Sequence, residues 1–344
     1  MLKHRSKQLL KRWIAPLTDF IGLYDGKIER LLSPTNRLLV LMYHRVIDDA
    51  RADPFELGMC VQRSRFVEQL KWLSRHANVI PLQSAVEHLL AGEPLPAGAV
   101  AITFDDGYLD NLTIAAPLLK EYGFPATVYV VTGGLEEGTP LWWDQVIAIM
   151  AGTRAERLDT AALGLKGLSK TLSLAPSERR DSCASLLDAL WQHDQAGIRQ
   201  MIERLRDMLE PEPSELWAAR RMNPRQVQTL AAQGFTIGAH TVSHIDPRHL
   251  DRDRLLHELL DSRHRLQNLC QQPVDSFAFP GGRSSVWMPD LLAQTGFHHA
   301  VTTVRGINQA PCDRYAIARV GMPDTPIGDF KRAIRNLQII DASH

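Results

Sequence analysis

Short apolar runs rich in β-branched residues alternate along the chain with stretches whose apolar positions recur at helical spacing. The extended runs fall at residues 37–43, 99–104, 126–131, 235–238, 276–279, 300–303 and 315–320. Helical periodicity covers 65–76, 84–91, 115–122, 224–233 and 251–270. Asn223-Pro224 marks one helix start, a capping side chain followed by a proline whose missing N–H costs nothing at the first helical position. Strands alternating with helices predict an α/β fold, a parallel sheet with crossover helices. Seven strands suit an incomplete barrel or an open sheet.

The alternation breaks between about 153 and 219, where the chain is polar and helical with few strand signals. This predicts a helical insertion between the third and fourth strands. The charged run 203–212 reads as the solvated face and end of a helix. At the N-terminus, Leu9, Leu10, Trp13, Ile14, Leu17, Phe20, Ile21, Tyr24 and Ile28 share helical spacing, and five basic residues precede the first acid, Asp19. Residues 1–34 are therefore expected to form an amphipathic helical segment ahead of a catalytic domain at 35–340. Its apolar face could lie on an anionic membrane surface or pack on the protein's own core, the simpler reading. Pro16, Thr18 and Asp19 interrupt any signal-peptide run, and nothing reaches the ~18 apolar residues of a membrane span. The expectation is a cytoplasmic protein, with peripheral contact at the inner membrane through residues 1–28.

Composition adds limits. With 344 residues, 44% hydrophobic and 23% charged, the chain can bury a sizeable core without staples. Lys+Arg and Asp+Glu balance at 39 each, so no basic field exists to attract nucleic acid, and none is expected as a partner. Cys60, Cys183, Cys270 and Cys312 show no metal-ligand or redox spacing and read as buried free thiols.

The chemistry sits where apolar runs end. Asp105-Asp106-Gly107 closes the second run, and Gly107 tolerates the backbone angles of a sharp turn, so both carboxylates could reach one cavity. His240 and His244 follow the fourth run, and imidazoles four residues apart on a helical turn could ligate one metal. One Asp and two His leave coordination positions for water and substrate. The same donor set describes an iron oxygenase, but that class would present His-x-Asp on an all-β scaffold. The fifth run ends in a tight turn, Phe279-Pro280-Gly281-Gly282. Trp142-Trp143-Asp144 offers rings that could stack on sugar faces, or a tryptophan pair anchoring the next helix with Asp144 as its cap.

Taken together and in order, Thr103-Phe104-Asp105-Asp106-Gly107, His240 to His244, and Phe279 to Gly282 resemble the motifs of the polysaccharide deacetylases, the NodB-homology domain or carbohydrate esterase family 4. The resemblance covers about 37–322, with 153–219 set aside. It implies a distorted (β/α)7 barrel of the NodB-homology type with a helical insertion. It implies a metal-dependent hydrolase that removes N-acetyl groups from sugar units of a polysaccharide or its lipid-linked precursor. Asp105 would be the base that activates water, and Asp106, His240 and His244 would hold a divalent metal, zinc first, with cobalt or nickel as alternatives. Tyr43, Phe279, Pro280, Gly281 and Trp143 would meet the acetylated carbohydrate.

Two departures stand out. The third-motif arginine that orients the base is replaced by Ala278, with Arg45, Arg283 and Arg319 as candidate substitutes. The C-terminal Leu-x-His that supplies the acid is missing, for 315–323 contains no histidine. Tyr43-His44 resembles the first strand of the poly-N-acetylglucosamine deacetylase branch, in which an early histidine sits in the active site. That makes His44 the candidate acid, with His298-His299 in reserve but expected at the opposite rim. O-acetyl ester hydrolysis, or a sugar-binding pseudoenzyme that keeps the metal site, are the alternatives.

Overall fold

Seven strands follow one another around a ring: β1 (Arg37–Tyr43), β2 (Ala99–Phe104), β3 (Thr127–Val130), β4 (Thr236–Ala239), β5 (Ser276–Ala278), β6 (His299–Val301) and β7 (Val320–Gly321). These come from a computed structural model that describes residues 25–165, 167–213 and 220–341. Residues 1–24, which carry most of the basic amphipathic pattern, and His344 lie outside the described residues. Each strand from β1 to β6 pairs in parallel with the next. The ring closes thinly, through one parallel bridge between Val301 and Ile317 and through β7 lying parallel to Leu41 and Met42 of β1. The barrel is thus complete but distorted at its last seam. Asn78–Val79 extends the start of β2, and Ile307–Gln309 runs antiparallel to the start of β1.

β1 and β2 read as continuous apolar runs because both of their faces are buried. Alternation still decides where each side chain goes. Leu39, Leu41, Tyr43, Val100, Ile102 and Phe104 face outward into the main core, against Phe66, Leu70 and Leu73 of the helix Arg63–His76. Leu38, Val40, Ala101, Tyr129, Ala278, Val301 and Ile317 face inward and are capped below by the helix Leu82–Ala91.

The expected helices are present as Arg63–His76, Leu82–Ala91, Ala116–Glu121, Pro224–Ala232 and Arg252–Cys270. Asn223 forms a full capping box with Gln226, satisfying two otherwise orphaned backbone donors. Met288–Gln294 and Ile327–Arg335 are helices the periodicity did not single out. The helix Asp25–Leu32 buries Ile28 and Leu32 in the main core, and Asp25 accepts from the Trp72 indole N–H at 2.8 Å. The described end of the N-terminal pattern therefore packs on the protein itself.

Between β3 and β4 the chain builds a cap over one end of the barrel. It contains the helices Trp142–Gly152, Arg179–Leu190 and Gln195–Leu209. It also contains a two-stranded antiparallel ribbon, Arg157–Asp159 with Thr171–Ser173, where an all-helical insertion was expected. Strands of three residues are too short for alternation to show in the sequence. The cap has its own core, which includes Met150, Leu158, Leu186, Ile202 and Leu205. All four cysteines are free; Cys60 and Cys183 are buried as expected, whereas Cys270 and Cys312 are only half-buried. No helix of the described residues is long and apolar enough to cross a membrane.

Candidate active site

The carboxyl ends of the barrel strands open into one cavity of about 370 Å³. His44 follows β1, Asp105 and Asp106 follow β2, His240 follows β4, Gly281 and Arg283 follow β5, and Thr303 follows β6; all of these line it, together with His244. Loops at this end of a parallel barrel are where catalytic groups gather.

Alternation carries Thr103 and Asp105 inward from β2. Asp105 is buried, and the guanidinium of Arg319 grips it bidentately, Nη1 to Oδ1 and Nη2 to Oδ2, each at 2.7 Å. Arg319 is fully buried; its Nε donates to the Thr302 carbonyl and its guanidinium lies 5.6 Å from the Tyr129 ring centroid. Burial pushes the Asp105 carboxyl up, but Arg319 outweighs it and leaves the group at about 2. Of Arg45, Arg283 and Arg319, it is Arg319 that holds Asp105. Arg45 is held by Asp110 at 2.9 Å and Arg283 by Asp246 at 2.8 Å. Ala278 and Arg319 both face the barrel interior, so a small side chain on β5 leaves room for a long one arriving beside β7.

Asp106 adopts a left-handed backbone, φ +75°, one residue earlier than the turn expected at Gly107, which follows at φ +74°. A non-glycine residue there costs about 1–3 kcal/mol, and such strain gathers at functional sites. The turn brings Asp106 round to face both imidazoles. Its Oδ1 lies 3.4 Å from Nε2 of His240 and 3.4 Å from Nε2 of His244. Both Asp106 oxygens are buried with no hydrogen-bond partner. Unpaired buried carboxylate oxygens are costly, which is the signature of a site built for a cation. The three side chains together offer one ligand atom each, all within 4.8 Å of one another.

The two histidines are held differently. Nδ1 of His240 lies 2.7 Å from the Ala278 carbonyl; it must carry the proton there, leaving the Nε2 lone pair for a metal. His244 has no partner at Nδ1. It is held by rings instead: Trp143 at 4.4 Å and Trp191 at 5.4 Å between centroids. Burial pushes His244 down to about 3, so it stays neutral as a ligand must. The segment joining the two histidines is not the helical turn expected. Thr241 and His244 both have positive φ, and Glu258 of the helix Arg252–Cys270 accepts from the backbone N–H groups of Val242 and Ser243.

The substrate-facing set needs correction. Tyr43 points away from the cavity; its ring packs on Phe66 and Phe104 and its hydroxyl donates to Gln69. Phe279 packs outward with Phe277 and Phe297, and Pro280 is buried off the cavity wall. In both strands the period of two puts the aromatic outside and its neighbour inside. Gly281 and Trp143 do line the cavity. Trp143 donates its indole N–H to the Tyr108 hydroxyl at 2.9 Å, and that hydroxyl donates to Asp144 at 3.0 Å. Asp144 is therefore a buried partner and not the helix cap expected; the N-cap position is Leu141. Burial pushes Asp144 up to about 7. His299 starts β6 at the other end of the barrel, as its place before the strand suggested. Trp191, Leu187, Leu57 and Met59 also line the cavity and were not anticipated. Trp191 and Leu187 belong to the polar stretch that reads as a mere insertion.

The chain matches the Polysaccharide deacetylase family over residues 92–154 and 180–300, more than half its length, and it belongs to that family. The matched blocks bracket the ribbon of the cap. YxkH of Bacillus subtilis (strain 168) is 20% identical over 306 residues, covering 87% of this chain and 77% of that one. The poly-beta-1,6-N-acetyl-D-glucosamine N-deacetylase of Escherichia coli (strain K12) is 34% identical over 114 residues, which is 32% of this chain and 16% of that protein. This chain thus spans only a small part of that relative. The Streptococcus pyogenes deacetylase PplD, solved with acetate, superposes with a TM-score of 0.58 at 19% identity, covering 85% of this chain and 94% of that one, which shows a shared fold.

Proposed function

We propose that the protein hydrolyses N-acetyl groups on sugar units of a polysaccharide or its precursor, with a divalent metal held by Asp106, His240 and His244. One observation carries this reading: a buried Asp106 carboxylate, unpaired at both oxygens, faces two imidazole Nε2 atoms beside the arginine-clamped Asp105. Two nitrogen donors and one oxygen donor suit zinc first, and cobalt or nickel next. When bound, such an ion polarises an acyl oxygen and acidifies water.

The chain's own residues supply the rest. Asp105, ionised at neutral pH, accepts the proton of the water that attacks the acetyl carbon. Arg319 fixes both oxygens of that carboxylate, which aims the remaining lone pairs and lowers the cost of keeping the group charged. His44, half-buried in the cavity wall, delivers a proton to the departing amine as the C–N bond breaks and the C–O bond forms. Acetate and a free amino sugar leave. The relative's name, an N-deacetylase of poly-N-acetylglucosamine, supports nitrogen over oxygen as the leaving atom.

The test is acetate release from N-acetylglucosamine oligomers and from an O-acetylated glycan, with His44→Ala alongside. N-acetyl sugars should react and the O-acetylated glycan should lag. His44→Ala should lose about 10²–10⁴-fold in turnover while keeping its metal. Preferential release from the O-acetylated glycan would reassign the substrate, and full activity in His44→Ala would remove that residue from the mechanism.

A further inference from the structure

The cap is fastened to the barrel rim on two distant sides. On one side, Nε of Arg180 donates to the Phe55 carbonyl at 2.9 Å, and the Phe55 ring sits in the cap's own core. That loop follows β1. On the other side, Trp191 meets the loop after β5: the Arg283 guanidinium lies 5.0 Å from its ring centroid, and a Cβ on Gly281 would come within 3.2 Å of its ring. In the ring of strands, β1 and β5 are separated by β2 to β4 one way and by β6 and β7 the other. A structure anchored to both crosses the mouth of the barrel.

What lies beneath is a small chamber. Its volume of about 370 Å³ falls near the bottom of the range for ligand pockets. Aliphatic Leu57, Met59, Ile147 and Leu187 line it along with Trp142 and Trp191. Apolar walls suit the C–H face of a pyranose ring. A polymer lying across the site would need open rim on both sides of the facing Asp106, His240 and His244, and the cap, with Leu187 and Trp191 on the cavity wall, stands between the loops after β1 and β5.

We infer that this site takes a terminal N-acetylated sugar unit, entering end-on, and excludes internal units of a long chain. The inference rests on the deacetylase reading above. The cap is then a specificity element: Trp191 and Leu187 form the barrier that a neighbouring sugar would strike.

The experiment uses the metal-loaded full chain and N-acetylglucosamine oligomers from dimer to hexamer. Acetate is counted per chain, and the deacetylated unit is located by fragment mass spectrometry. The expected result is a single acetate per chain, always from one end, at a rate that stops depending on length once the chain exceeds a few units. Leu187→Ala and Trp191→Ala should both raise the share of internal deacetylation, about tenfold for the better of the two. Metal content is measured in each, because Trp191 also packs on His244. Internal units deacetylated by the wild-type protein, or several acetates per chain, would overturn the inference while leaving the deacetylase reading intact. No acetate from any oligomer would overturn both.

Discussion

Asp105→Asn should lower turnover by about 10²–10⁴-fold or more while leaving metal content unchanged. The substitution keeps the shape of the side chain and removes the group that accepts the proton from water. It touches none of the three residues that face one another as a metal site, because the Asp105 carboxylate is committed to Arg319 and not to His240 or His244. The asparagine also leaves a buried guanidinium opposite a neutral amide, so a lower unfolding midpoint should accompany the loss of activity. Metal analysis and acetate release on one preparation separate the two effects. A variant that binds its metal and still turns over at the wild-type rate would remove Asp105 from the chemistry.

Arg319→Met should be nearly as severe, for a different reason. Removing one member of a buried ion pair strands the other, at a cost of about 3–5 kcal/mol. Burial, no longer opposed by Arg319, would raise the Asp105 carboxyl from its present value of about 2. The sign follows for both stability and rate. In the native protein Asp105 is held below its unfolded value, so its contribution to stability is present above about pH 4 and is lost as the pH falls toward 2. In the variant that acid-side loss shrinks as the folded value rises toward the unfolded one, and reverses once burial carries it past, while the acid limb of the activity profile moves up. Denaturant unfolding at neutral pH and a pH–rate profile read the two consequences. An unchanged midpoint with an unchanged acid limb would mean that Arg319 does not govern the base.

Much of the architecture was legible because the barrel strands are buried on both faces, which leaves apolar runs such as 37–43 and 99–104 that no other element mimics. The candidate site was legible where those runs stop: Asp105, Asp106, His240 and His44 all sit within two residues of a strand end and line one cavity. Three things were harder to see. Alternation along the strand, applied at Tyr43 and Phe279, would have turned both outward, but proximity to motif residues weighed more. Arg319 comes from the far seam of the barrel, and nothing local distinguishes it from Arg45 or Arg283, which carry acid partners of their own. Trp191 follows the helix Arg179–Leu190, whose buried Cys183, Leu186 and Leu190 pack into the cap's own core, so its contact with His244 is a product of tertiary packing alone.

The backbone of the metal-facing turn makes the same point. Spacing of four suggested a helical pair at His240 and His244, whereas positive φ at Thr241 and His244 and the anchoring by Glu258 bring the imidazoles together without a helix. The spacing pointed to two residues that the structure brings together through a geometry other than a helical turn. Ring packing around His244, in place of the hydrogen bond that orients His240, ties the cap to the metal-facing residues as well as to the mouth of the barrel.

Asp106, His240 and His244 face one another as a candidate metal site, and one titration tests that role most directly. The chelator-stripped protein is loaded stepwise with zinc, cobalt or nickel, and bound metal and acetate release from N-acetylglucosamine oligomers are followed together. The expected result is no release without metal, release rising in proportion to occupancy up to one ion per chain, and no tight binding in His240→Ala. Full acetate release from the stripped protein, or tight stoichiometric binding retained in His240→Ala, would contradict it.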